Sequence, residues 1–192
     1  MHKSWLLSAA LLSLAAGCGG DTTIASRITG VYQSSACEPT PSGSFWRRYY
    51  AFTNKTWNLM TEVYTDDKCT QKGLSLEVGG EFNVPDAAAP AGAEPLDLMV
   101  MFRAATAWQK PGVDSFNSAS CGGAKDWVAG IRRDTSSGCG AITPSVADCP
   151  TIYEVGQVNE TQLFLGPATK TAADLCKPEA RPAQLGAPLT KK

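Results

Sequence analysis

Cys18 is the residue whose surroundings most clearly indicate chemistry. It follows three small residues, Ala15-Ala16-Gly17, at the end of an apolar stretch over residues 5–16 that Lys3 precedes. A positive start, a short apolar run and small residues form a secretory signal. The run has about 12 residues, well short of the ~20 that a membrane-spanning helix needs. The pattern predicts a signal peptide over residues 1–17, cleavage before Cys18 and attachment of a diacylglycerol to its thiol.

A lipid at Cys18 would hold the exported chain on a membrane of the bacterial cell envelope. Gly19, rather than Asp, follows the cysteine, which favours the outer membrane over the inner one under the sorting rule of some bacteria. Residues 18–27 are then expected to form a lipidated tether, and residues 28–192 a single domain. The alternative is an ordinary secreted protein with a chance cysteine at this place.

Six further cysteines remain in the exported part of the chain: Cys37, Cys69, Cys121, Cys139, Cys149 and Cys176. An even number of cysteines in an exported chain favours disulfides. Zinc is the alternative, but the chain contains no C-x-x-C spacing, and its one histidine, His2, lies in the predicted signal peptide. The sequence therefore predicts three disulfides, no metal site and no cofactor.

The same lack of histidine bears on catalysis. It excludes Ser-His-Asp and Cys-His arrangements from the exported chain. A hydrolase that uses only carboxylates would need two of them at a set separation, and the candidates, Glu62, Glu77, Asp97 and Glu154, mostly occupy strand positions that are expected to face solvent. We expect no enzyme, with a carboxylate-based hydrolase as a remote alternative. The net charge of −1 and the absence of a basic run also argue against a nucleic-acid partner.

Apolar and polar residues alternate with a period of two along most of the chain, which is the pattern of half-buried strands. Gly79-Gly80 is expected to interrupt one strand as a bulge or bend. We expect loops or poorly patterned chain over 85–95, 104–124 and 134–150, and a proline-rich tail over 166–192 that lies on the surface. The predicted strands are 28–35, 45–53, 56–65, 73–84, 96–103, 126–133, 151–158 and 161–165.

About eight strands joined as neighbours predict an all-β fold, an antiparallel barrel or strongly curled sheet of the kind seen in lipocalins. A two-sheet sandwich is the alternative. In an up-and-down order, the loops after the first and third strands lie at one end, which favours a bridge from Cys37 to Cys69. The same reasoning favours Cys149 with Cys176. Cys121 and Cys139 remain, and they flank the predicted sixth strand at opposite ends, so either that strand is short and the chain folds back, or the strand count is wrong there.

Several segments match a pattern in which a strand with Trp or Tyr leads to Ser-x-x-Cys-Glu, an Arg-x-Tyr-x-Phe strand follows, and Tyr-x-Asp-x-x-Cys closes the unit. The matching residues are Gly30 to Glu38, Phe45 to Phe52, Trp57 and Tyr64 to Cys69, followed more loosely by Cys121, Trp127, Gly130, Arg132 to Asp134, Gly138-Cys139 and Tyr153-Glu154. In these residues the chain resembles the domain of the Wnt-antagonist family named adenomatosis polyposis coli down-regulated.

The resemblance implies a barrel-like antiparallel domain that binds a lipid chain, as the family does with acylated Wnt proteins. This chain departs from the family in having one copy of the domain, no transmembrane helix and a bacterial export signal. A Wnt partner is therefore not carried over, and the sequence leaves the protein partner unknown. What remains is the expectation of an apolar ligand.

The residues expected to bind such a ligand lie on one face of two neighbouring strands. They are Trp46, Arg48, Tyr50, Phe52 and Trp57. The apolar members could instead fill a solid core, as small barrels do, and Arg48 could pair with an inner carboxylate or lie exposed at a strand end. A lipid-binding module is the first function that follows. A structural or protein-interaction lipoprotein with a filled core, which binds through loops such as 104–124, is the second.

Overall fold

The computed structural model describes residues 23–40, 42–140, 142–167 and 174–192 of the 192-residue chain. The predicted signal peptide and Cys18 lie outside the described residues. In the described part the α-helices are α1 (Ile24–Arg27) and α2 (Lys110–Ser118), and short 3-10 helices span Cys121–Gly123 and Pro178–Ala180. The strands are β1 (Gly30–Ser34), β2 (Glu38–Pro39), β3 (Phe45–Phe52), β4 (Thr56–Tyr64), β5 (Lys72–Asn83), β6 (Glu94–Met99), β7 (Phe102–Ala107), β8 (Arg132–Asp134), β9 (Thr151–Val158), β10 (Gln162–Leu165) and β11 (Leu189–Lys191).

Eight of these strands form a closed barrel. They pair in the order β1, β3, β4, β5, β6, β9, β10 and β11, and β11 returns to β1. Every pairing is antiparallel. Closure leaves no free edge among these eight strands, because each has a neighbour on both sides. The prediction of an all-β antiparallel barrel is confirmed.

The strand that closes the barrel comes from the C-terminal tail. Leu189 lies opposite Ser34 of β1 and Leu163 of β10, and it is almost completely buried. The prediction that residues 166–192 lie only on the surface was therefore wrong for β11. The predicted sixth strand, 126–133, was also wrong as a barrel strand, since only β8 forms there and it pairs with β7 alone.

The long strand β5 runs through Gly79-Gly80 without a break, and the irregularity lies in its partner. Phe82 lies opposite Leu98, and Gly79 lies opposite Phe102. These two pairs are three residues apart along β5 but four residues apart along the opposing segment. One residue is therefore extra between β6 and β7, as in a β-bulge. A Cβ at Gly80 would overlap the carbonyl oxygen of Met99, so glycine is needed there for the close approach of the bulged strand.

The folded domain begins earlier than the sequence predicted. Ile24 and Ile28 are fully buried in the barrel core, and the Ile24 N–H donates to the Glu94 carboxylate at 2.7 Å. Arg27 forms an ion pair with the same carboxylate at 3.2 Å. The expectation of a tether through residue 27 was therefore wrong from Thr23 onwards, because α1 packs into the domain.

Three disulfides connect the loops. Their pairs are Cys37–Cys69 and Cys149–Cys176, which the sequence favoured, and Cys121–Cys139, the two cysteines that remained. The pair that fitted the predicted strand order poorly, Cys121–Cys139, flanks the short strand β8, around which the chain folds back. Two of the three bridges fasten residues 108–150, which we call the cap. The cap contains α2 and β8 and packs on β5 and β7.

Candidate functional site

The pairing register identifies which side chains point into the barrel, because directly opposed residues of neighbouring strands share a face. One row runs from Tyr50 through Leu59 and Val78 to Arg103. The next row towards the cap contains Arg48, Thr61, Leu76 and Ala105. Both rows face inwards, since Tyr50 and Val78 belong to the barrel core.

The barrel is packed with side chains at the end where α1 lies. Phe52 meets Phe82 edge-on, with 5.4 Å between the ring centres, and the Trp57 indole N–H donates to the Met99 carbonyl at 3.0 Å. Of the predicted ligand residues, Tyr50, Phe52 and Trp57 belong to this packed part. The fully or nearly fully buried inner residues are Tyr32, Tyr50, Phe52, Trp57, Val78, Phe82, Leu96, Leu98, Leu163, Leu165 and Leu189.

The inner face of β3 and β4 is open near the other end. Trp46, Leu59, Thr61 and Val63 point inwards by register, yet they are only partly buried. These inward side chains therefore keep some solvent-accessible surface. We call these four residues the mouth. Three of the four are apolar, so the mouth is an accessible, largely apolar surface.

A second apolar cluster faces the interior from the cap side. Ala105 and Ala107 of β7 pack with Phe116 of α2 and with Trp127. The ring centres of Trp127 and Phe116 lie 4.7 Å apart. Leu74 and Leu76 lie against this cluster. It is separate from the cluster at the α1 end, and the inner residues between the two include Arg48, Thr61 and Arg103.

Arg48 is buried and already paired. Its guanidinium donates to both carboxylate oxygens of Glu38, at 3.2 and 3.0 Å, and Glu38 also accepts from the Trp46 indole at 3.2 Å. Burial opposes the charge of Arg48, but Tyr50 and Glu38 outweigh it and raise the pKa of the guanidinium. Arg48 therefore does not lie exposed at a strand end, and the alternative of an inner carboxylate partner holds.

Arg103 is the inner residue that the sequence pattern placed on the opposite face. The alternation of β6, with Leu96 and Leu98 inside, predicts that Arg103 points out. The extra residue of the bulge inverts the phase, so Arg103 shares the inner face with Val78 and only 3% of it is exposed. Gly79-Gly80 was the signal for this irregularity, but a sequence does not show which of two paired strands carries the extra residue.

The partners of Arg103 differ from those of Arg48. Its Nη1 donates to the Thr143 hydroxyl at 3.0 Å, and no carboxylate in the described part of the chain forms an ion pair with it. Burial alone lowers its pKa, although a guanidinium remains charged at neutral pH. A buried charge without a counter-ion is costly.

Several buried polar atoms on the inner face have no hydrogen-bond partner among the described residues. They are the Tyr32 hydroxyl, Arg48 Nε, and Arg103 Nε and Nη2. Most buried polar groups in proteins are hydrogen-bonded. The interior therefore offers unused donors beside an apolar surface, the chemistry that suits an amphipathic molecule with an acceptor group.

Tyr50 lies beside these donors. Burial raises its pKa to about 12, against the opposing charge of Arg48. The hydroxyl therefore stays neutral at physiological pH.

The four candidate carboxylates are all engaged in ionic or hydrogen bonds. Glu62 pairs with Lys72, Glu77 with Arg132 at 2.8 Å, and Asp97 with Arg181 at 2.5 Å. Glu154 faces inwards and accepts from the backbone N–H groups of Val155 and Gly166, at 3.1 and 3.2 Å. None of the four is a free carboxylate poised on the mouth.

Within the described ranges, no three side chains of the types that bind metals come together. No helix of those same ranges is long and apolar enough to cross a membrane.

Comparison with known proteins bears on the first half of the barrel. The family model described as Adenomatosis polyposis coli down-regulated 1 matches residues 9–95, a little under half of the chain. The match supports that family. The match covers β1 to β5. It therefore includes β3, which carries Arg48, Tyr50 and Phe52, and the Cys37–Cys69 bridge. The looser resemblance beyond Pro95 stays a prediction. No curated protein matches the chain.

Proposed function

We propose that this protein is an exported, lipid-anchored module of a bacterial cell envelope that binds a lipid or another apolar molecule inside its barrel and catalyses no reaction. The observation that carries the proposal is the mouth, where Trp46, Leu59 and Val63 point into a closed barrel but remain partly exposed. Exposed apolar surface in a concave site marks a place where a ligand can be buried.

The energetics favour a ligand with a flexible hydrocarbon chain. Each CH₂ group that moves from water onto the mouth gains roughly 0.8 kcal/mol. Beyond the mouth, Leu74 and Leu76 continue the apolar inner face as far as the second cluster. A chain of a few carbons along this face would already offset part of the cost of association.

The anchor rests on the sequence around Cys18. The small residues before it and the short apolar run are the support for cleavage and lipid attachment there. The expectation of the outer membrane rests on Gly19. The family resemblance supports the ligand class, because that family binds an acyl chain.

Native mass spectrometry of the protein purified from its own host membranes tests both parts. We expect a chain that begins at Cys18 with a covalent lipid, plus a second lipid that is present under native conditions and lost under denaturing ones. The Cys18→Ser variant, purified from the soluble fraction because it has no anchor, is the matched control, and it should lack the covalent lipid and keep the other. A wild-type protein without the dissociable lipid would contradict the binding proposal, and an unmodified Cys18 would contradict the anchor.

A second candidate is a lipoprotein that binds another protein through its cap, and one observation favours it. Trp108, Val128 and Ile131 are 44%, 56% and 50% exposed. They lie on neighbouring segments, since the Gly130 N–H donates to the Ala107 carbonyl at 2.8 Å. Exposed large apolar side chains that lie together mark interaction surfaces. In the mass spectra this candidate predicts no dissociable lipid.

A further inference from the structure

Arg103 is the one inner cation of the described chain without an acidic partner. Arg48, the other inner arginine, has Glu38. Arg103 is 3% exposed and has one side-chain hydrogen bond, to Thr143, while its Nε and Nη2 are buried and unpartnered among the described residues. A guanidinium has a fork of donors that matches two oxygens of one carboxylate or phosphate.

The backbone around Arg103 holds the side chain firmly in this place. Its N–H donates to the Ser136 hydroxyl at 3.1 Å, and its carbonyl accepts from the Thr135 N–H at 2.9 Å. Thr135 itself carries a buried hydroxyl without a partner in the described residues. The backbone of Arg103 is thus held between β5 and the loop that follows β8, and its side chain is tied to Thr143 through Nη1.

Arg103 also lies behind the wall of a surface pocket. Thr143, the hydroxyl partner of its Nη1, lines a pocket of about 440 Å³ in the cap together with Ser137, Gly138 and Ser145. The carboxylate in that wall, Asp148, accepts from the Ser145 hydroxyl at 2.6 Å. Arg103 itself lines a second surface pocket, of about 350 Å³, with Phe102, Ala104, Arg132 and Asp134.

Resting on the proposed function, we propose that Arg103 binds the anionic group of the barrel's ligand, a carboxylate or a phosphate, while the hydrocarbon chain lies on the mouth. Arg103 shares a register row with Leu59 of the mouth, with only Val78 between them. An oxyanion on Nε and Nη2 would supply the counter-ion that the described residues do not provide. The ligand class is thus an anionic amphiphile with a single chain.

The test compares charged and neutral ligands of equal chain length. A sixteen-carbon fatty acid and its alcohol form one pair, and a lysophosphatidic acid and a monoacylglycerol form the other, so that the two sources of the oxyanion are distinguished. Wild-type protein is expected to bind at least one anionic member about tenfold more tightly than its neutral partner, the factor typical of a hydrogen bond to a charged group. Arg103→Met should abolish that preference and leave the affinity for the neutral member unchanged.

Arg48→Met is the matched control, because it removes the inner arginine that already has a carboxylate partner. It should keep the preference for the anion. Loss of the preference in Arg48→Met together with its retention in Arg103→Met would overturn the assignment. Equal binding of charged and neutral ligands by the wild type would also overturn it while leaving the proposed function intact. Absence of binding of all four probes would instead contradict the proposed function.

A measurement on the wild type covers the case in which Arg103→Met does not fold. In protein labelled with ¹⁵N-arginine, the Nε–H signal of Arg103 should shift on addition of the preferred anionic ligand and not on addition of its neutral partner. The signal is assigned with Arg103→Lys. An unchanged signal at saturating anionic ligand would contradict the proposal.

Discussion

Replacing Trp57 with alanine is expected to lower the free energy of unfolding by about 3–5 kcal/mol, the range for a buried large aromatic side chain. Trp57 is 2% exposed and lies opposite Phe52 in the packed end of the barrel. Its removal leaves a cavity and takes away the hydrogen bond that the indole N–H donates to the Met99 carbonyl. Equilibrium unfolding in urea measures the loss, provided that the slope of the unfolding free energy against urea concentration is the same in the variant and the wild type.

Trp108→Ala is the matched control for this prediction. Trp108 also has an indole hydrogen bond, to Ser75 at 2.8 Å, but 44% of the residue is exposed. We expect its loss to cost about 1 kcal/mol or less. Equal losses for the two variants would mean that Trp57 is not part of a close-packed core.

Leu189→Ala is expected to lower the free energy of unfolding by about 2–5 kcal/mol, although the residue lies three positions before Lys192. Leu189 is 1% exposed and joins β1 to β10 in the closed barrel. Its truncation would weaken the contact that closes the barrel. The measurement is again equilibrium unfolding in urea.

Leu185→Ala provides the comparison, since it makes the same change in the same tail at a partly exposed position. We expect about 1 kcal/mol or less from it. A tail that only lies on the surface would give two small and similar losses, and that result would contradict closure of the barrel by β11.

Much of the barrel could be predicted because its strands alternate. The period of two is a direct consequence of a sheet with one face inside and one outside, and it located β3, β4 and β9 closely. The bridge from Cys37 to Cys69 followed from strand direction alone. β11 could not be found in this way, because three residues after a proline-rich stretch show no period.

The candidate site was less predictable than the fold. A single extra residue between β6 and β7 turned Arg103 from the outer to the inner face, and a pattern read from one strand cannot detect this. The mouth depends on which inward side chains find partners across the barrel. Trp46 and Phe52 look equivalent along β3, yet only Phe52 is buried against residues of distant strands.

The most direct test of ligand binding inside the barrel is titration of the delipidated Cys18→Ser protein and two of its variants with a fluorescent fatty acid. Val63→Trp fills the mouth, whereas Met60→Trp adds the same side chain to the outer face of the same strand. We expect the parent protein to bind the fatty acid saturably. Val63→Trp should weaken the affinity by about tenfold or more, the effect of about two CH₂ groups that can no longer be buried. Met60→Trp should leave the affinity unchanged. Equal affinity of both variants and the parent protein would contradict a ligand site within the barrel.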